Sequence, residues 1–201
     1  MIASQPAKYD RRRDRPDSGG ATRYADITVP AGLVIYADGC CEPNPGAGGW
    51  GFVVYRDGAE VHCASGGDLE ATNQRMELTA ALQALLWVAN AGDVTANVRL
   101  ISDSKYTVTG CNEWRHNWKR RGWRRKSAEA AEKNQVVANL DLWKLLDAAL
   151  TATPVNLEWV KGHCGVIGNE RADELSLIGR DAALEEQPPT DLIRQQLRGI
   201  A

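Results

Sequence analysis

The segment LVIYADGCCEPNPGAGGWGFVVYRDGAEVHCA, residues 33–64, decides the fold. It opens with the β-rich run Leu33–Tyr36, which ends at Asp38-Gly39. Two more strand candidates, residues 50–55 and 60–64, lie on either side of the turn signal Asp57-Gly58. The segment therefore predicts an antiparallel meander of three strands. The glycines at 46–51 are not followed by the Gly-Lys-Ser/Thr sequence that ends a nucleotide-binding loop. We therefore interpret them as a tight turn into the second strand.

Helical and strand patterns alternate after this meander. Apolar residues recur at helical spacing in residues 76–89, 139–150 and 169–182, with Gly92 as a plausible stop for the first helix. Residues 98–101 and 155–160 read as a fourth and a fifth strand. Three sequential strands followed by interleaved helices and strands predict a mixed α/β sheet.

The ends of the chain differ from the middle in composition. Residues 1–30 are rich in Arg, Asp, Ser, Gly and Pro, and they contain too few large apolar residues to offset the entropy of ordering. We therefore predict a disordered leader over residues 1–30, one domain over residues 31–182, and a flexible tail over residues 183–201.

The overall composition favours a soluble globular protein, with 43% hydrophobic and 25% charged residues. No run of about 18 apolar residues and no signal-peptide pattern occurs, so we expect a cytoplasmic protein that does not enter membranes. Five cysteines without Cys-x-x-Cys spacing indicate reduced thiols rather than a zinc site. We expect a monomer with no obligate protein partner.

Positive charge is concentrated in one place, although the net charge is only −2. Seven of the 24 Lys and Arg residues lie between Arg115 and Lys126, with no acid among them and with Trp118 and Trp123 interleaved. A local patch of this kind attracts a phosphate backbone even when the whole chain is nearly neutral.

Four acidic residues stand at notable positions in this layout. Asp38 and Asp103 each end a predicted strand, Glu77 lies near the start of the first helix, and Asp173 lies early in the last helix. Strand ends and helix starts meet at the ligand-binding edge of an α/β sheet, where such acids would repel one another unless cations neutralise them. Oxygen ligands suit Mg²⁺ or Mn²⁺. The alternative is that each acid is an ordinary turn or cap residue.

Seven segments occur in an order that is typical of one protein family. They are YADG from Tyr36, NPGAGGWG from Asn44, ATNQRMELTAAL from Ala71, SDSKYTVTG from Ser102, WRHNWKRRGW from Trp114, NLDLW from Asn139 and WVKGHCGVIGNERADELS from Trp159. Together they resemble type 1 ribonuclease H over residues 33–182. The resemblance implies a ribonuclease H-like α/β fold: a five-stranded mixed sheet with its first three strands antiparallel and the rest parallel, flanked by helices.

The same resemblance implies an activity and its cofactor. A member of this family is an endonuclease that hydrolyses the RNA strand of RNA–DNA hybrids with little sequence specificity, leaving 3′-hydroxyl and 5′-phosphate ends. Asp38, Glu77, Asp103 and Asp173 would be catalytic ligands of two Mg²⁺ ions, with Mn²⁺ as a substitute. His163 would be the catalytic histidine.

Contacts to the hybrid are also implied by the resemblance. Asn44, Asn73 and Gln74 would touch the RNA side of the minor groove, and Thr72 and Asn139 would hold a phosphate of the DNA strand. The basic protrusion would grip that strand with Trp114, Trp118, Lys119, Arg120, Arg121 and Trp123.

Three features depart from the family's familiar pattern. Cys40 stands where a hydroxyl residue is usual, Lys105 stands where a neutral amide is familiar, and residues 124–138 are longer than expected. None of these removes a predicted ligand. Two alternatives remain at this point: a hybrid-binding module that no longer cleaves, and another nuclease or strand transferase built on the same fold.

Overall fold

The computed structural model describes residues 29–91, 98–125 and 135–186. The strands are β1 Leu33–Cys41, β2 Gly46–Arg56, β3 Ala59–Ala71, β4 Arg99–Ser102 and β5 Asn156–Trp159. The helices are α1 Asn73–Asn90, α2 Lys105–Thr109, α3 Arg115–Arg120, α4 Leu140–Ala152 and α5 Ile167–Glu185, with a π-helical turn at Gly110–Trp114 between α2 and α3. The expected leader up to residue 28, Gly92, Lys126 and the tail from residue 187 lie outside the described residues.

The five strands form one sheet in the order β3-β2-β1-β4-β5. β1, β2 and β3 pair antiparallel, whereas β4 pairs parallel to β1 and β5 pairs parallel to β4. The predicted mixed sheet, with an antiparallel first half and a parallel second half, is therefore confirmed.

β2 and β3 are longer than the sequence pattern indicated. β2 begins at Gly46 and β3 continues to Ala71, whereas the predicted strands covered residues 50–55 and 60–64. The glycines interpreted as a turn lie inside β2, and the turn itself is formed by residues 42–45. Glycine is unfavourable in strands on propensity alone, so the pattern placed the strand start too late.

These strand glycines allow α5 to lie directly on the sheet. A Cβ atom on Gly49 would lie 2.0 Å from the carbonyl oxygen of Ser176, and one on Gly51 would lie 2.6 Å from the nitrogen of the same residue. A Cβ atom on Gly67 would lie 2.4 Å from the carbonyl oxygen of Gly179. No side chain fits at these contacts, so backbone rests on backbone.

Helices cover both faces of the sheet. Ile35 and Ala37 of β1 point into the larger core, which α1 and α4 complete with the fully buried Trp143. Val34 and Tyr36 point the other way, into a smaller core beneath α5. Alternate side chains of β1 therefore point into different cores on the two faces of the sheet. Within the described residues, no helix combines the length and apolar character needed to cross a bilayer.

The helix boundaries differ from the predicted ones by a few residues. α1 begins at Asn73 rather than at Met76, because the Thr72 hydroxyl accepts a hydrogen bond from the Arg75 backbone nitrogen and caps the helix. α5 runs to Glu185, three residues beyond the expected end of the domain at residue 182. The predicted tail from residue 183 therefore starts inside a helix.

The segment after β4 forms a protrusion of α2, the π-helical turn and α3, held on α4 by aromatic rings. Trp118 and Tyr106 each pack edge-on against Trp143 at 5.3 Å between ring centroids, and Trp114 lies 5.7 Å from Trp118. Gly110 makes this contact possible, since a Cβ there would lie 2.0 Å from the Trp143 ring. Trp114 and Trp118 are thus half-buried packing residues, whatever else they contact.

Candidate active site

Asp38 lies within β1, not at its end as predicted. The strand continues to Cys41, and Asp38 pairs with Gly51 of β2. The side chain is buried, with 6% exposure, and its Oδ1 accepts a hydrogen bond of 2.8 Å from the Gly39 nitrogen. A buried carboxylate in the middle of a sheet requires compensation by charge or protonation.

Gly39 brings the first turn of α1 against β1. A Cβ on Gly39 would lie 2.3 Å from the Glu77 nitrogen, so only glycine permits this approach. Glu77 is thereby held beside Asp38, and it is buried as well. Its Oε2 has no hydrogen-bond partner among the described residues. An unsatisfied buried carboxylate oxygen indicates a missing ligand.

Asp103 follows the end of β4 and is held from three directions. The buried Asn169 of α5 donates from Nδ2 to Asp103 Oδ2 at 3.1 Å, and Trp159 donates from Nε1 to the Asp103 carbonyl at 2.8 Å. Gly162 passes so close that a Cβ would lie 2.2 Å from Oδ2. The carboxylate therefore has one orientation, which faces Asp38 and Glu77.

We call Asp38, Glu77 and Asp103 the carboxylate cluster, since one oxygen of each lies within 4.8 Å of the others. Burial, followed by repulsion from Asp103, raises the pKa of the Asp38 carboxyl from 3.8 to about 8. Burial, followed by repulsion from Asp38 and Asp103, raises the pKa of Glu77 well above its usual value. Without a cation, the raised pKa values of Asp38 and Glu77 favour their protonated forms, which reduces the repulsion.

The donor set fits a hard divalent cation. All ligand atoms in the cluster are carboxylate oxygens, which Mg²⁺ and Mn²⁺ prefer over nitrogen or sulfur. The unpartnered Oε2 of Glu77 gives the structural sign that a ligand belongs there. A bound cation would replace the protons that the raised pKa values indicate.

Asp173 is the predicted acid that the structure places apart from this cluster. Its carboxylate groups with His163 and Glu170, and its Oδ2 lies 4.0 Å from His163 Nδ1. Its charge nevertheless contributes to the raised pKa of Asp38, so the two groups are neighbours. Glu170 was not among the predicted site residues.

His163 lies in an exposed turn between β5 and α5. Its side chain is 76% exposed, and its φ of 51° is in the left-handed region, as is that of Gly165. The Gly165 nitrogen donates to Glu170 Oε1 at 3.2 Å, which ties the turn to the first turn of α5. The turn therefore presents the imidazole to solvent beside Asp173.

The predicted RNA-side contacts converge at the start of α1. Asn44, in the β1–β2 turn, accepts a hydrogen bond of 3.2 Å at Oδ1 from the Asn73 nitrogen. Gln74 is exposed on the same helical turn, three residues before Glu77. The structure therefore brings Asn44, Asn73 and Gln74 together next to the carboxylate cluster.

An ion pair between helices brings the predicted phosphate contacts together. Arg75 of α1 donates two hydrogen bonds, of 3.1 and 2.8 Å, to the two carboxylate oxygens of Asp141 in α4. Thr72 caps α1 and Asn139 precedes α4 with a φ of 56°, so this pair places the two residues at adjoining helix N-termini. Both ends present backbone N–H groups that favour an anion.

The basic protrusion offers fewer free charges than its sequence suggested. Arg115 Nη1 and Lys119 Nζ bind the two oxygens of the buried Asp147 in α4, at 2.6 and 2.7 Å. Their charges therefore anchor α3 to the domain. Among the described residues, Arg120 donates to Asn117 of its own helix and Arg121 donates to the carbonyl of Arg125, and both remain exposed. Trp123 is half-buried against the core.

Sequence reasoning missed the residues that orient others rather than bind directly. Asn169, Trp159 and Arg75 all lie inside the segments that carry the family resemblance, which was the available signal. Their partners Asp103 and Asp141 are 56 or more residues away in sequence, so no local pattern connects them. Only the folded arrangement reveals these pairs.

A family model described as RNase H matches residues 30–180, which is three quarters of the chain. The chain belongs to the ribonuclease H family. Ribonuclease HI of Pseudomonas aeruginosa PAO1 is 46% identical over 147 residues, covering 73% of this chain and 92% of the relative. Ribonuclease H of Caulobacter sp. K31 is 46% identical over 156 residues, covering 77% and 94%. These relatives identify a bacterial ribonuclease H enzyme of type 1.

Solved structures agree with this membership. LC9-RNase H1, a type 1 RNase H with the type 2 active-site motif, is 29% identical with a TM-score of 0.61, covering 77% of this chain and 75% of that one. LC11-RNase H1, solved in complex with an RNA/DNA hybrid, is 24% identical with a TM-score of 0.54, covering 76% and 99%. The second likeness concerns the ribonuclease H fold alone.

Proposed function

We propose that this chain hydrolyses the RNA strand of RNA–DNA hybrids, leaves 3′-hydroxyl and 5′-phosphate ends, and depends on two Mg²⁺ ions, with Mn²⁺ as a substitute. The observation that carries the proposal is the buried carboxylate cluster with its unpartnered Glu77 oxygen. Family membership supplies the reaction class, and the cluster supplies the residues that this reaction needs.

Asp38, Glu77, Asp103 and Asp173 would hold the divalent cations. When bound, such cations lower the pKa of a water molecule and neutralise charge that develops on a phosphate in transition. Asn169 keeps the Asp103 carboxylate turned toward Asp38, because its Nδ2 donates to Oδ2. Gly39 keeps Glu77 at the cluster. These contacts fix the ligand positions before substrate arrives, as efficient catalysis requires.

His163 would carry the proton traffic of the reaction. Its side chain is exposed, and its Nδ1 lies 4.0 Å from Asp173 Oδ2. A proton could then pass between solvent and the phosphodiester oxygen that leaves. The exposed position of this glycine-flanked turn also suits release of the product.

Selection of a hybrid would arise from two sets of contacts. Asn44, Asn73 and Gln74 lie next to the cluster and could hydrogen-bond to the 2′-hydroxyl groups that distinguish RNA from DNA. Thr72 and Asn139, with the helix N-termini behind them, would receive a phosphate of the opposite strand. Arg120 and Arg121 would add phosphate contacts that carry no sequence information.

A cleavage assay tests the proposal against the alternative of a binding module without activity. Purified protein is incubated with millimolar Mg²⁺ and with a labelled hybrid, the same RNA as a duplex with RNA, and single-stranded RNA. We expect cleavage of the hybrid alone, with 3′-hydroxyl ends that a polymerase extends. Asp38→Asn should abolish it.

Asp57→Asn provides a matched control. Asp57 lies in the β2–β3 turn with a φ of 50°, which asparagine adopts readily, and its Oδ1 contact to the Gly32 nitrogen can be kept. This variant loses one carboxylate far along the sheet from the cluster, so it should cleave as the wild type does. Binding of the hybrid without cleavage by the wild type would favour the binding module and contradict the proposal.

A further inference from the structure

Lys105 and Trp159 form a cation–π pair beside the carboxylate cluster. Lys105 is the exposed first residue of α2, two positions after Asp103. Its Nζ lies 4.5 Å from the centroid of the Trp159 ring, within the range of a cation–π interaction. Neither residue has a role in the function proposed above.

Trp159 holds this pair in a fixed position. It is the last residue of β5, its ring is 46% exposed, and its indole nitrogen donates to the Asp103 carbonyl at 2.8 Å. The ring therefore lies against the backbone of a cluster residue, and the ammonium is stacked on the ring. A lysine restrained in this way loses less rotamer entropy when it binds a ligand.

The charge of Lys105 has no described counterion. Arg75, Arg99, Arg115 and Lys119 each pair with a carboxylate within 4.0 Å, whereas no such pair involves Lys105 among the residues that the structure describes. An exposed ammonium without a described counterion can pair with an anion that arrives with the substrate.

The position of the pair favours one strand of the hybrid as the source of that anion. β4 lies between β1 and β5, so Trp159 is on the far side of Asp103 from Asp38 and α1. The Thr72 and Asn139 contacts lie on α1 and α4, away from β5. Lys105 follows Asp103 of the cluster by two residues, so the strand nearer to it is the one that the proposed function places on the cluster, which is the RNA strand.

We propose that Lys105 binds a phosphodiester of the RNA strand next to the one that is cleaved, with Trp159 holding its ammonium in place. This inference rests on the proposed function, and it names a substrate contact specific to this chain. The contact provides affinity before and during the reaction alike, so it acts on KM and leaves kcat nearly unchanged.

Hybrid binding without cleavage tests the contact. The Asp38→Asn protein serves as background, and its dissociation constant for a short fluorescent hybrid is measured against salt concentration. Adding Lys105→Gln should weaken binding about threefold to tenfold near physiological salt and lower the log–log salt slope by about 0.9. Adding Lys105→Arg should restore both values. Adding Lys144→Gln, which removes an exposed lysine of α4, should change neither.

Neutral linkages locate the phosphodiester. Single methylphosphonates, each at a 2′-O-methyl residue, are placed one at a time along the RNA strand around the cleavage site. A methylphosphonate at one position adjoining the cut should weaken binding by the protein that keeps Lys105. The same methylphosphonate should have no effect on the Lys105→Gln protein, because the two changes remove the same contact.

The outcomes separate this inference from the proposed function. If the wild type cleaves hybrids but Lys105→Gln binds them with unchanged affinity and salt slope, the inference is wrong and the proposed function stands. The inference is equally wrong if only linkages of the DNA strand, or none, couple to Lys105. If the wild type fails to cleave hybrids at all, the proposed function fails, and the inference fails with it.

Discussion

Removing the charge of Asp38 should stabilise the cation-free protein. Burial raises the pKa of this carboxyl in the folded state from 3.8 to about 8. The folded protein therefore holds more protons than the unfolded chain between about pH 4 and about pH 8, and the free energy of unfolding falls as pH rises through that window. At pH 7 about three pH units of the window have been crossed, which corresponds to about 4 kcal/mol.

Asp38→Asn should recover most of this energy, because asparagine keeps the acceptor for the Gly39 nitrogen and carries no charge. In a domain of this size, about 4 kcal/mol corresponds to a rise of about 10 °C in Tm. The gain should shrink to less than about 1 kcal/mol at pH 4, because this pH lies only just above the unfolded pKa of 3.8 and little of the window has been crossed. The Asp57→Asn control should show neither the gain nor its pH dependence.

Urea unfolding at pH 4 and pH 7, in the presence of a chelator, measures these differences for the wild type and both variants. Millimolar Mg²⁺ should then stabilise the wild type at pH 7 and stabilise Asp38→Asn far less, since binding to the folded state alone raises stability. The reasoning would be refuted if the Asp38→Asn protein is no more stable than the wild type at pH 7. It would also be refuted if the gain in stability over the wild type is the same at pH 4 and at pH 7.

Three other changes probe separate parts of the site. His163→Ala should lower kcat by about 10²-fold, within the usual range for lost acid–base help, and a loss as complete as that of Asp38→Asn in single-turnover assays would contradict the assigned role. Gly39→Ala should destabilise the protein by about 1–3 kcal/mol in urea and lower cleavage, because its Cβ would meet the backbone of α1; unchanged stability would show that α1 shifts freely. Arg120→Ala with Arg121→Ala should raise KM and lower its salt slope by about two while kcat persists, and an unaltered slope would remove the protrusion from the binding surface.

The sequence predicted the architecture well because hydrophobic periodicity reports which faces are buried. The antiparallel pairing of the first three strands and the parallel pairing of the last two agreed with the predicted mixed sheet, and membership of the family explains the agreement. The errors fell where local propensity and tertiary packing disagree. Glycines in β2 and β3 weaken the strand signal, yet α5 requires them at its contacts with the sheet.

The four acids of the candidate site stay predictions, and the structure shows how they are grouped. Three of the four acids form one cluster, and Asp173 lies instead with His163 and Glu170. The pairing of Arg115 and Lys119 with Asp147 was invisible in the sequence, since a run of basic residues does not reveal which charges are neutralised by a distant carboxylate. Whether a charge is available is decided by long-range contacts.

The glycine contacts between α5 and the sheet bear on how this protein tolerates mutation. The height of α5 above β2 and β3 is limited by main-chain atoms, which every amino acid shares. Side-chain changes elsewhere in the smaller core can alter stability, but they should change the distance between α5 and the sheet only slightly. Substitutions elsewhere in the chain should therefore leave Asn169 and Asp173 in place. Variants selected for stability or solubility should keep the spacing between α5 and β1 as long as those glycines remain.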